Sequence, residues 1–164
     1  MNSLQIKQLL GSNKHFGGVF PSNHLITIKD KKQKGFIVNT DDCHKPGVHW
    51  VAFYFPANGR PEFFDSYGHK ISLTDFYNFI GRKKYYYNNR LLQSALSTLC
   101  AGYCIYFLSE RIKGKKFKDI VTQFKTNTLI NDFFIQKYIE KKFNFKLKFV
   151  NKKFKKSVLK KFIK

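Results

Sequence analysis

Three side chains in this 164-residue sequence are of types that together can attack a carbonyl: His49, Asp65 and Cys100. His49 precedes an apolar run at 50–55, and Asp65 ends a second run at 61–65. Between them lies Pro56-Ala57-Asn58-Gly59-Arg60, a turn signal that predicts a hairpin. With a five-residue turn, Phe55 faces Pro61 and opposite residue numbers sum to 116, which sets Asp65 across from Val51. His49 is two residues from Val51 on the same face, a diagonal of roughly 7–8 Å between backbones. A carboxylate there reaches the imidazole, fixes its tautomer and stabilises its protonated form. A different register would put the two on opposite faces, so the pairing depends on that turn. Cys100 is the candidate nucleophile. It heads the stripe Cys100, Tyr103, Cys104, Phe107, Leu108, spaced as one helical face, and a helix N-terminus favours a thiolate. Taken by itself, Cys100 is better explained as a buried apolar residue at the head of that stripe, which is what most lone cysteines are. Cys104, one turn deeper, reads as core. His15, His24, His44 and His69 have no comparable setting, although His44 and His69 are near enough in sequence to compete.

The elements that must position these groups follow from periodicity and punctuation. Residues 3–10 suit a short capped helix stopped by Gly11, and 35–40 a buried strand. Residues 74–80 read as a helix ending at Gly81. The Cys100 helix is expected to begin near Ser97 or Thr98, either of which can cap it, and to stop at Gly114. A further helix is expected over 129–142, and the alternation Phe-Asn-Phe-Lys-Leu-Lys-Phe over 143–149 predicts a strand. Residues 152–164 suit a basic amphipathic helix or a flexible arm.

Composition bounds the function classes. The chain is long enough for one domain with a substantial core, and 43% of its residues are apolar. It has no uninterrupted apolar stretch of about 18 residues, so no membrane span is expected. Lys7 and Lys14 interrupt the N-terminal segment, which argues against a secretory leader. Cys43, Cys100 and Cys104 match no metal-ligand spacing, and their odd number speaks against a disulfide scaffold and for a reducing compartment. The net charge is +21, and 18 of the 31 basic residues fall within 111–164. Such a field attracts polyanions; a lysine-rich solvated surface is the alternative.

The order and spacing of three motifs resemble the adenovirus protease family. They are Gly47-Val48-His49-Trp50, then Phe64-Asp65-Ser66-Tyr67-Gly68, then Gln93 followed after six residues by Cys100. Phe36-Ile37-Val38-Asn39-Thr40 is similar to the strand that precedes the histidine in those enzymes, and the resemblance covers residues 16–110. Short, lysine-rich relatives carried by Maverick/Polinton elements look closest, and ubiquitin-like-protein proteases share the arrangement more distantly. The chain departs from the family at Ala101, where a glycine usually follows the nucleophile, and in a shorter connection between Asp65 and Gln93.

The resemblance implies an α+β, papain-like/Ulp1-like fold: a central mixed sheet with the nucleophile at the N-terminus of a central helix. It makes Cys100 the nucleophile, His49 the general base and acid, Asp65 its orienter and Gln93 a donor to the oxyanion. The protease domain is expected over 1–150, with a basic tail at 151–164. The implied function is a viral or transposon-encoded cysteine endopeptidase that processes capsid or virion precursors. No cofactor is required for the chemistry, and activation by DNA and a basic peptide is an expectation from the resemblance. Expected partners are precursor proteins and DNA, the expected state is a monomer, and the expected location is the virion and the infected-cell nucleus or virus factory. Two other readings stay open: a ubiquitin-like-protein isopeptidase, and an inactive basic nucleic-acid-binding protein.

Overall fold

The computed structural model describes residues 1–147. Helix α1 (Ser3–Leu10) forms where expected. The Asn2 side chain accepts from the Gln5 N–H and the Gln5 side chain accepts from the Asn2 N–H, a reciprocal cap. Five strands follow in one sheet: β1 (Phe16–Phe20), β2 (Lys34–Asn39), β3 (Trp50–Phe55), β4 (Glu62–Phe64) and β5 (Tyr86–Tyr87), adjacent in that order. The outer pairs β1–β2 and β4–β5 are parallel, the inner ones antiparallel. The expected mixed sheet is thus present. Its edges escape sequence reading, because Gly17 and Gly18 interrupt the apolar pattern of β1 and β5 is only two residues long.

The hairpin has the predicted register. Ala52 pairs with Phe64, Phe53 with Phe63 and Tyr54 with Glu62, so every pair sums to 116. Strand β4 stops at Phe64, and Asp65 is the first residue beyond it.

Two hydrophobic cores lie on opposite faces of the sheet. On one, α3 (Cys100–Ile112) packs across β2 and β3, with α1, α4 (Phe117–Thr122) and α5 (Thr128–Phe143) around it. On the other, α2 (Thr74–Ile80) and a 3-10 turn (Ser22–Thr27) cover a cluster of phenylalanines and aliphatic side chains in equal number. Arg111 spans from the last turn of α3 to β4, donating to both carboxylate oxygens of Glu62 at 2.7 and 3.0 Å. That fork fixes the far end of the helix to the strand that leads into Asp65.

Two expectations need correction. Neither Ser97 nor Thr98 caps α3: Leu99 occupies the cap position and makes no side-chain hydrogen bond. The Ser97 hydroxyl is engaged one step earlier, accepting from the Leu99 N–H at 3.3 Å within the preceding loop. The strand expected over 143–149 is absent from its described part. Phe143 is the last residue of α5, Asn144 turns left-handed at φ 50°, and Phe145 and Leu147 pack against the core without strand pairing. Burial of those side chains satisfies the alternating pattern that suggested a strand. The remainder of that segment and the tail at 151–164 lie outside the described residues. Among the described residues, no helix is long and apolar enough to cross a membrane.

Candidate active site

The hairpin brings His49 and Asp65 together. His49 Nε2 is 2.7 Å from Asp65 Oδ1, and both side chains are largely shielded from solvent. Several contacts hold the carboxylate in place. The Tyr67 N–H donates to the same Oδ1 at 2.9 Å. The buried Asn88 side chain accepts from the Asp65 N–H and donates to its carbonyl, pinning the backbone on both sides. Gly68 closes the turn with φ +80°, and a Cβ there would meet the Arg90 backbone at 2.5 Å. Only glycine therefore lets the Asp65 turn lie against the loop that carries Arg90 and leads to Gln93.

His69 reaches the same carboxylate, its Nδ1 3.3 Å from Asp65 Oδ2, but its ring is mostly exposed. His49 is instead flanked by the Tyr67 ring, 4.9 Å between centroids. Of the two histidines on Asp65, only His49 also faces Cys100.

Cys100 is the first residue of α3, buried beneath His49. Burial opposes the charged form of both partners, yet their mutual interaction prevails. His49 is raised to about 9 against that desolvation, by hydrogen bonds and charge from Asp65 and Cys100. Burial pushes the Cys100 thiol up, but the bond to His49 and the N–H groups of Trp50 and Ala101 bring it below its ordinary value. Each partner thus favours the charged form of the other, the direction that leads toward a thiolate–imidazolium pair. Cys104, one turn along, shows the contrast. Complete burial raises it well above an ordinary thiol, and its sulfur donates to the Trp50 carbonyl at 3.3 Å. It is inert core.

Gln93 is fully buried in the loop before α3. Its side-chain oxygen accepts from the Ser66 hydroxyl at 2.7 Å, and its nitrogen end is fixed by a carbonyl, which can only accept. That nitrogen donates to the Ser97 carbonyl at 2.7 Å, while Tyr67 Oη lies 3.4 Å away. One N–H is therefore anchored, and the other is only weakly engaged. The N-cap residue of α3 likewise supplies no side-chain acceptor to the first turn. Ala101, the departure after the nucleophile, is 1% exposed and belongs to the core, so its methyl does not crowd the cleft. Gly102 is the position with no room: a Cβ there would meet Ile135 Cγ2 at 2.9 Å.

Beside His49 and Asp65 opens a cleft of about 580 Å³, with Val51, Phe63, Leu73 and Phe76 as apolar wall and Asp41 and Lys70 at polar positions. No group of three or more His, Cys, Asp or Glu among the described residues could hold a metal ion.

Of the four residues singled out from the sequence, His49 and Asp65 line the cleft, Cys100 meets His49 from the start of α3, and Gln93 sits in the loop before that helix. Sequence reading missed Ser66, Asn88 and Asp132. Asp132 had a signal: it shares the spacing 131, 132, 135, 136, 139 with the buried side of α5, where an acid is out of place. Asn88 had none.

The sequence profile of adenovirus endoproteases matches residues 16–157. No curated protein matches the sequence. Among solved structures, the crystal structure of the ASFV pS273R protease is similar at 20% identity and a TM-score of 0.45. That similarity covers 62% of this chain and spans 43% of that protein.

Proposed function

The chain belongs to the adenovirus endoprotease family of cysteine endopeptidases, and from that membership we propose that Cys100, His49, Asp65 and Gln93 are its working parts. The observation that carries this reading is the buried line Asp65–His49–Cys100, with 2.7 Å between the first two and the thiol held below its ordinary value. Asp65 occupies Nε2 of His49, which leaves Nδ1 to serve the sulfur.

The chemistry is acyl transfer. The Cys100 thiolate adds to the scissile carbonyl, and the negative charge moves to the carbonyl oxygen. The Gln93 amide and the Cys100 N–H donate to that oxygen. His49 gives its proton to the leaving amine as the C–N bond breaks, forming a thioester. Water, deprotonated by His49, then releases the acid and restores the thiol. Asp65 holds the ring and its charge throughout.

The proposed substrates are capsid or virion precursor proteins, bound in the cleft beside His49 and cut during particle maturation. DNA is the proposed polyanionic partner, supported by the concentration of basic residues in 111–164. A basic peptide is a second proposed activator, and the virion and infected cell are the proposed setting. The protein is to be incubated with the structural proteins encoded beside it and the new termini read by mass spectrometry. Discrete cuts lost in Cys100→Ala support the assignment. Uncut precursors beside a thiol that iodoacetamide modifies readily would remove the substrates and keep the triad.

A further inference from the structure

We infer that Asp132 is a positioning residue for catalysis: its ionised carboxylate holds the Gln93 loop in register with the Cys100 helix. The inference rests on the proposed function and extends it to a residue on α5, away from the reacting atoms.

Asp132 is 1% exposed, and its surroundings connect the parts of the oxyanion site. Its Oδ1 is 2.8 Å from Tyr103 Oη, on the nucleophile's own helix. Tyr103 Oη is also 3.0 Å from the carbonyl of Leu92, the residue before Gln93. The Ser94 N–H and the Ser97 hydroxyl face the carboxylate from the loop, yet Oδ2 has no close hydrogen-bond partner. Ser97 in turn holds the Gln93 amide nitrogen through its carbonyl. One acid thus touches the helix of the nucleophile and the loop after the oxyanion donor, and reaches the residue before that donor through Tyr103.

The groups around Asp132 suit a pure acceptor. Tyr103, the Ser94 N–H and the Ser97 hydroxyl are all placed to donate to it, and the more distant Tyr67 feels its charge. No cation among the described residues forms a salt bridge with it. Tyr103 has a single hydroxyl proton for two acceptors. With Asp132 ionised, that proton goes to Oδ1, and the Leu92 carbonyl is served by Asn131 Nδ2 at 2.9 Å. With Asp132 protonated, the acid becomes a donor among donors. Tyr103 Oη is its nearest acceptor, so the tyrosine hydrogen turns to the second lone pair of the Leu92 carbonyl, and the Ser94 N–H and Ser97 hydroxyl lose the charge they face. The loosening falls on the loop that follows Gln93. Burial raises Asp132 to about 6, against the opposing bonds from Tyr103, Ser94 and Ser97, so this change falls within a range that an assay can cover.

Asp132→Asn keeps the shape and sets an amide where the acid had been, a lasting mimic of the protonated state. At pH 8 the variant should lose about tenfold in kcat with KM within about twofold, the pattern of a displaced transition-state donor. Its Cys100 should react with iodoacetamide at the wild-type rate, since that displacement uses no oxyanion. The wild-type-to-variant kcat ratio should collapse toward one as the pH falls through about 6, because the titrations of Cys100 and His49 are common to both and cancel. Full kcat at pH 8, a pH-independent ratio, or alkylation that falls in step with kcat would each overturn the inference. Should Asp132→Asn fail to fold, Tyr103→Phe serves. It removes a donor that favours the ionised acid, so the wild-type-to-variant kcat ratio must rise between about pH 6 and the variant's higher midpoint, and a pH-independent ratio refutes the role. A wild-type protein that neither cleaves nor alkylates at Cys100 defeats the proposed function itself, a result distinct from all of these.

Discussion

The two faces of the sheet are packed with different chemistry. The α2 face is packed with phenylalanines among aliphatic side chains: Phe53 meets Phe76 and Phe79 edge-on, each at 5.2 Å, and Phe36 joins Phe79 at 5.3 Å. The α3 face is threaded with buried polar groups, among them Ser66, Gln93, Asn131 and Asp132. A phenylalanine cluster gains stability from area and needs no partner geometry. A buried polar network costs desolvation and is tolerated only where its bonds are satisfied. The difference teaches that one face supplies stability while the other holds donors and charges in fixed directions. Substitutions should therefore separate the two, with chemistry lost on one side and stability on the other.

The largest effect belongs to the nucleophile. Cys100→Ala should lower turnover by about 10⁴-fold or more without loss of fold, and His49→Ala should match it. Measured peptide cleavage beside an unchanged thermal melt checks this. Phe53→Ala, on the aromatic face, should cost about 3–5 kcal/mol in denaturant titration while turnover per folded molecule stays constant. A catalytic defect in that variant at full folding would erase the distinction between the faces. Gln93→Ala should cost about 10²-fold in kcat, the effect of one oxyanion donor, with the melt little altered.

The pH profile sharpens the assignment of charge. As pH rises through about 9, His49 loses the proton that the leaving amine requires, so activity should fall by about tenfold per unit beyond it. As pH falls through the lowered value of Cys100, the thiolate is quenched and activity declines again. The smallest effect is Cys104→Ala: about 1–2 kcal/mol of stability from a deleted core sulfur, with no change in turnover. A catalytic loss there as large as that of Cys100→Ala would reverse the roles of the two thiols.

Much of this was legible in the residues because it is local. Turn length and period-two alternation dictate the β3–β4 register, and with it the meeting of His49 and Asp65. Helical spacing places Cys100 at the head of an apolar stripe, and the order of motifs identifies the family. The start of α3 was read too early because Ser97 and Thr98 are good caps in general, and only the loop's own bonding shows Ser97 occupied elsewhere. Other features depend on partners far apart in the chain. The Gln93 amide oxygen meets the Ser66 hydroxyl, 27 residues away, and Asp132 acts through Tyr103, 29 residues away. The thiol is lowered partly by the Trp50 N–H, from a strand the sequence places 50 residues earlier. Spacing along a chain encodes which face a residue occupies, since backbone geometry repeats. It does not encode which donor a buried acceptor meets, because that is decided when separate elements pack and each polar group takes the partner left within reach.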